Sequence, residues 1–497
     1  MRKMQLSSMQ FWQPIRINKK ELKHLKFNKG RRSLMSITGA FIMPHPPIIL
    51  PQIGQGEEKK IQKTISSCKE IAKRIAAIKP DTIVITSPLS AMYPDYFQIS
   101  PGSEAKGNLS KFGVDEEDFQ ISVEYDCDFV STLQIEAARY GIAAGTFSNE
   151  DTGLDHGIIV PLTFIHEQYA DFKLVRIGLS WLPMSDHYVF GECIAKSADI
   201  TSKNIVFVAS GNLSRIVSEA NNDEITTESV IFDEQITKVM KNGDFLKFLT
   251  FDETFAKKTG ECGLRSFTIM AGALDGKNVK SELLSYEGIL GVGHGVASFI
   301  PCESNEDRKF LDIYKKIEKS QLIDIKATED EYVKLAKYSI EYFIKNGKIA
   351  ELPQNLPEEM LMRKAGVFVS LKKHGNLRGC IGTITPVTRN IASEILKNAV
   401  NAATKDPRFE PVNATELTEI VYSVDVLSQS EPVSSIDSLD PERYGVVVSS
   451  GHRKGLLLPD LEGVDTPEQQ IDIACRKASI SKGEDFNIER FEVARHR

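Results

Sequence analysis

The chain has 497 residues, 41% of them hydrophobic and 26% charged, and carries a formal net charge of −7. That length calls for two or three domains that each bury a core, and the acidic balance excludes the global basic field that holds nucleic acid. No apolar run reaches the ~18 residues of a membrane span, and seven scattered cysteines without a CxxC pair argue against a disulfide framework or a structural zinc site and for a reducing, cytoplasmic setting.

In chain order, residues 1–35 form a basic extension in which Glu21 is the only acid. This segment reads either as an arm that seeks a membrane or nucleic acid, or as a disordered extension or upstream sequence ahead of a start at Met35. Residues 36–301 alternate strands and helices. Residues 36–42 read as a strand entering a proline-rich loop. Residues 57–78 carry a helical stripe of Ile61, Ile65, Cys68, Ile71, Ile75 and Ile78. The apolar runs 81–86, 172–179 and 204–209 read as buried parallel strands. Helices between such strands imply crossovers, so this domain is expected to be α/β, with a central parallel or mixed sheet flanked by helices. Residues 302–326 read as a helical linker. Residues 327–497 read as a separate α+β domain. Its first helix opens with a capping box at Thr328 and Glu331 and ends at Gly347. Strands are expected at 367–371, 379–385, 420–427 and 444–449, and a helix near 390–404.

Ligands of an α/β sheet bind beyond the carboxyl ends of its strands. Four loops fall there: MPHPP with His45, SPLSAMYPDYF from Ser87, SGNLSR from Ser210 to Arg215, and GECGLRS with Glu261. A non-haem iron centre takes two imidazoles and a carboxylate on one face. His45 and Glu261 offer one of each. The alternatives are a histidine with a satisfied structural partner and a glutamate that compensates a helix dipole. The glycines around His294 read as a backbone turn.

Residues 37–300 resemble the LigB-like class III extradiol dioxygenase and Memo families. The resemblance is carried by MPHPPIILPQIG, SPLSAMYPDYF, LDHGIIVPL, VASGNLSRIV, ECGLRSFTIMAGALDG and SYEGILGVGHG. It implies metal ligands at His45 and Glu261, an active-site histidine at His156, and Fe(II) or another divalent metal as cofactor. Two positions depart from the family pattern. Leu89 stands where the second metal-binding histidine is expected, and Arg215 where the dioxygenases keep a basic histidine. Leucine has no lone pair, and a guanidinium neither gives up its proton nor tolerates a nearby cation. Two remaining ligands hold a divalent metal poorly unless another group steps in, for which His156 is the candidate; a degenerate pocket, metal-free or remodelled, for a small anionic ligand is then expected. The alternative is an active iron-dependent oxidoreductase acting on a catechol-like aromatic.

In the last domain, LRGCIGT sets Cys380 between two glycines and just after Arg378. A nearby cation stabilises a thiolate, so a nucleophile or thiolate ligand is one reading; a buried cysteine in a β-bend is the other. DPRF (Asp406–Phe409) and His452 lie where they either line a cleft or close surface turns. LRGCIGTI, DPRF, YSVDVLS, GVVVSSGHRKGLLLPDLEGVDTPEQQIDIACRKA and FEVARH make this region resemble the AMMECR family. The fusion resembles proteins of AmmeMemoRadiSam systems, which implies a Memo-like protein and a radical S-adenosylmethionine enzyme as pathway companions. Small molecules, aromatic or anionic, are the expected ligands; neither nucleic acid nor membrane is expected as a partner.

Overall fold

The structure, a computed structural model, describes residues 36–146, 153–215, 226–289, 291–461, 464–481 and 483–497. The expectations for residues 1–35 lie outside the described residues. The chain divides into two compact units, with the division between Leu311 and Asp312, inside the helix Phe310–Ala327.

The first unit is built on a six-stranded sheet: β1 (Ile37–Met43), β2 (Thr82–Ser87), β3 (Lys173–Gly178), β4 (Ile205–Ser210), β5 (Lys277–Ile289) and β6 (Val292–Ser304). Their order is β3-β2-β4-β1-β6-β5. The first four are parallel neighbours; β6 and β5 join antiparallel. The sheet is therefore mixed and flanked by helices, as the α/β reading expects. Every residue of β2 and β4 is buried. That explains their unbroken apolar runs, since strands covered on both faces need no polar side. Phe41, Met43, Ile83 and Ile85 pack with residues of the helices Gln62–Ile78 and His156–His166 in one core.

The β5–β6 hairpin was not foreseen. Only Gly291 of the glycine run sits in a turn conformation, at φ 71°, while Gly293 and Gly295 lie within β6, as does His294. A side chain at Gly293 would come within 2.2 Å of Asp233. The bare backbone there exchanges hydrogen bonds with the SGNLSR loop: Leu213 N–H donates to Gly293 O at 2.8 Å, and Gly293 N–H to Ser214 O at 2.9 Å. Glycine serves close approach at this point.

The second unit holds two four-stranded sheets. The strands are β7 (Val367–Lys373), β8 (Asn376–Gly382), β9 (Ile420–Leu427), β10 (Glu431–Pro432), β11 (Gly445–Ser450), β12 (Arg453–Leu457), β13 (Asn487–Phe491) and β14 (Val493–His496). The orders are β8-β7-β9-β14 and β10-β13-β11-β12. Val367, Val369 and Leu371 of β7 enter a core with the helices Glu331–Asn346 and Ile391–Thr404. The first helix is capped by Asp330, whose carboxylate accepts from Tyr332 and Val333 N–H at 2.9 and 3.0 Å, rather than by Thr328. Aspartate caps as well as threonine does, and Thr328 is held in the turn that ends the preceding helix. Gly347 ends the helix at φ 68°, as expected.

In the first unit the helices Met184–Thr201 and Leu264–Ala273 cross at two glycines. A Cβ on Gly272 would lie 2.0 Å from Tyr188 O, and one on Gly191 2.0 Å from Ile269 O. Backbone cannot yield as a side-chain end does. Gly272→Ala is therefore expected to destabilise this unit by about 2–3 kcal/mol, despite alanine's better helix propensity. A thermal unfolding midpoint equal to or above that of the parent chain would contradict this packing.

Candidate functional site

The first site lies beyond the carboxyl ends of β1, β2 and β4. Met43 pairs with Ser210 in the parallel register, so the chain leaving β1 sets His45 over the end of β4. The backbone N–H of His45 donates to Asn212 Oδ1 at 3.2 Å, and its ring Nδ1 lies 2.9 Å from Ser210 Oγ. The Ser210 hydroxyl donates to Gly157 O at 2.6 Å. Its proton is thereby committed, so it accepts from Nδ1–H. This network assigns the neutral Nδ1–H tautomer to His45 and leaves a lone pair on Nε2. Nε2 faces Cys262 Sγ at 3.9 Å. Burial, reinforced by His156 and His294, pushes the pKa of His45 down to about 3.

His156 opens the helix His156–His166. Its ring meets those of His45 and Phe112 edge-on, with centroids 5.8 and 5.1 Å apart, and burial lowers its pKa against the pull of Asp155. Asp155 ties this helix to the β2 loop by accepting from Ser87 and Ser90 Oγ at 2.7 and 2.5 Å. Leu89, two residues past Ser87, is 41% exposed. Glu261 accepts from Leu264 N–H at 2.7 Å and so caps the helix Leu264–Ala273; burial raises its pKa to about 7. Arg215 is exposed, and its backbone N–H is fixed to Thr259 O at 2.7 Å. Its positive charge lowers the pKa of Cys262, although burial dominates and holds that thiol up at about 12.

His45 and His156 thus come together, with Cys262 beside them. Glu261 engages the helix end through one carboxylate oxygen, and Leu89 offers no donor. Among the described residues no group of three or more His, Cys, Asp or Glu side chains is arranged to hold a metal ion. His45, His156 and Glu261 are the right donor types, but they are not gathered into the face of two imidazoles and one carboxylate that such a centre takes. Sequence reasoning missed Ser210 and Cys262, and left His294, whose charge bears on His45, as a loose imidazole. Ser210 was discernible as the last residue of a buried strand, and Cys262 as the neighbour of Glu261.

The second site centres on Cys380 in β8, which pairs with Ser370 of β7. Ser370 Oγ lies 3.1 Å from Cys380 Sγ. The cation expected at the thiol, Arg378, is elsewhere. A β-bulge puts Leu371 opposite Gly379 and Lys372 opposite Leu377, so Arg378 is the extra residue and is re-aimed. It forks onto Glu416 with two bonds of 2.9 Å and reaches Glu410 O. Arg408 takes its place. It binds Asp406 at 2.7 and 2.9 Å and reaches Cys380 O at 3.4 Å. Asp406 also accepts the Cys380 N–H at 2.8 Å, and the Arg408 guanidinium holds its carboxyl well below the usual range. Burial raises the Cys380 thiol pKa, against the lowering by Ser370 and Arg408. The thiol is therefore mostly protonated near neutral pH. His452 lies exposed in the turn between β11 and β12.

Acid is expected to destabilise the first unit. His45, His187 and His294 are held down to about 3, about 3 and about 4, each chiefly by burial. A histidine depressed on folding costs nothing above its unfolded pKa of about 6.5. Below it, the unfolded chain binds protons that the folded chain refuses, so stability falls. Glu261, raised to about 7, opposes this by binding a proton more readily when folded. Three groups against one leave a net loss on the order of 3 kcal/mol from about pH 7 to about pH 5. Urea unfolding followed at Trp181 in a Trp12→Phe background measures it; stability that is flat or rises on acidification contradicts the assignment.

Comparison with known proteins places both units. Residues 39–297 match the family described as the catalytic LigB subunit of aromatic ring-opening dioxygenase, and residues 333–496 match AMMECR1. A protein of Clostridium acetobutylicum is 41% identical over 473 residues, which is 93% of this chain and 100% of its own. One of Thermotoga maritima is 52% identical over 171 residues, 34% of this chain and 98% of its own. The crystal structure of an uncharacterized protein from Pyrococcus horikoshii is 32% identical, covers 33% of this chain and 88% of its own, and superposes with a TM-score of 0.31. The chain belongs to the LigB family, in the arrangement that fuses a LigB-type domain to a carboxyl-terminal AMMECR1 domain.

Proposed function

We propose that the LigB-type unit binds a small anionic ligand at the His45–His156–Arg215 pocket and does so without the iron centre of a ring-opening dioxygenase. The observation that carries this reading is that, among the described residues, no three His, Cys, Asp or Glu side chains are arranged to hold a metal ion. Glu261 accepts from Leu264 N–H through one of its oxygens, and Leu89, 41% exposed, has no lone pair to offer a metal.

What remains suits an anion with hydroxyl groups or an aromatic body. Neutral His45 presents the Nε2 lone pair to a donor, and neutral His156 adds a second imidazole edge without competing charge. Exposed Arg215 supplies a permanent cation that pairs with a carboxylate or phosphate. Phe112 and Leu89, 37% and 41% exposed, offer apolar contact at the rim.

Calorimetric titration with benzoate and with neutral benzamide tests the reading. Benzoate is expected to bind more tightly, and Arg215→Ala to weaken it about tenfold, which corresponds to about 1.4 kcal/mol. Metal analysis of anaerobically purified protein separates the alternative, an iron-dependent oxidoreductase acting on a catechol-like aromatic. The parent chain is expected to hold far less than one iron per chain, and the Leu89→His, Arg215→His double variant to hold more. Roughly one iron per parent chain, lost in Glu261→Ala, would overturn the proposal.

A further inference from the structure

The AMMECR1 unit contains a cleft of about 1210 Å³, ample for a small organic ligand. Its origin is the alternation of β7. Val367, Val369 and Leu371 are buried toward the helices, so Phe368, Ser370 and Lys372 must face the other way, and all three line the cleft. Leu456 and Leu458 line it as well, with Lys477 from the helix Pro467–Ala478.

The lining is divided by chemistry. Phe368, Ile384, Leu456 and Leu458 form an apolar wall and are only partly buried. At Cys380 the surface turns polar and cationic. Arg408 and Lys477 lie close enough to each other and to Cys380 for their charges to interact. Arg408 is paired through Asp406. Lys477 donates to Leu456 O at 3.3 Å, and among the described residues no carboxylate stands within ion-pair distance of it. Arg495 is ion-paired to Asp425 and Asp460, and Lys372 and Arg497 add further positive charge. In a chain of net charge −7, this local excess of cations marks the cleft out.

We propose that this cleft binds a small amphiphilic anion, with its carboxylate or phosphate held by Arg408 and Lys477 over Cys380 and its apolar body along Phe368, Leu456 and Leu458. The Ser370 hydroxyl donates to Sγ, which leaves the thiol S–H free to donate to the same anion. Two convergent cations suit either acid group, and the apolar wall sets the preference for a ligand with a hydrocarbon or aromatic body. This site is independent of the His45 pocket.

Protection of Cys380 from alkylation reads occupancy at the site itself. The full chain is treated with iodoacetamide in the presence of 4-phenylbutyrate, phenyl phosphate or neutral 4-phenylbutan-1-ol. Alkylation is followed by peptide mass spectrometry, with Cys475 as the control within the same unit. At saturation at least one of the anions is expected to slow Cys380 alkylation about fivefold or more, with Cys475 unaffected and the alcohol far less effective. Lys477→Met, which keeps the alkyl stem, is expected to raise the half-protecting concentration about tenfold. The anion that protects at lower concentration identifies the acid group. Equal protection by alcohol and anions, no protection by either anion, or an unchanged concentration in Lys477→Met would each overturn the proposal; the first two outcomes are read on the parent chain.

Discussion

The hydrogen bond from His45 Nδ1 to Ser210 Oγ is the interaction around which the LigB-type site is organised. It exists because β1 and β4 are parallel neighbours in a register that pairs Met43 with Ser210. The onward bond from Ser210 to Gly157 O brings the start of the His156 helix into the same arrangement. One hydroxyl thus joins three segments distant in sequence and fixes which imidazole nitrogen keeps its lone pair. Burial does the rest. A charged imidazole in that position would be unsolvated and next to two further histidines, so the ring stays neutral. A buried group already satisfied on one nitrogen can present only the other to a ligand.

The AMMECR1 unit solves a similar problem with a carboxylate. Asp406 accepts from the Cys380 backbone and from Arg408, so a single buried anion sets the loop against β8 and aims a cation across the thiol. Burial then keeps the thiol protonated. Both sites therefore present neutral polar groups in partly apolar settings with permanent cations nearby. The two proposed anion sites rest on that pattern.

Much of this was legible in the sequence, and the failures have physical causes. The strand expected at 420–427 matches β9, whose first residues alternate between buried and half-buried. The buried parallel strands showed themselves as continuous apolar runs, because full burial leaves no polar alternation to confuse the reading. His45 in its proline-stiffened loop was placed at a strand end for the same reason. The β5–β6 hairpin escaped because its glycines resemble a turn, when two of them serve close approach to Asp233 and Leu213. Arg378 was placed beside Cys380 from adjacency alone; the bulge that re-aims it depends on pairing with β7 and leaves no local mark. The strand expected at 379–385 is found at Asn376–Gly382, since apolar content does not fix register. Cys262 gains its place beside His45 only through the tertiary fold.

The central claim is that His45, His156 and Glu261 are not gathered into the face of donors that an iron centre takes. Anomalous diffraction at the iron edge, from crystals soaked anaerobically in Fe(II), tests this most directly. The account predicts no ordered iron bridging His45 Nε2 and Glu261, with the Glu261 carboxylate still on Leu264 N–H. A fully occupied iron bound to both residues would contradict it.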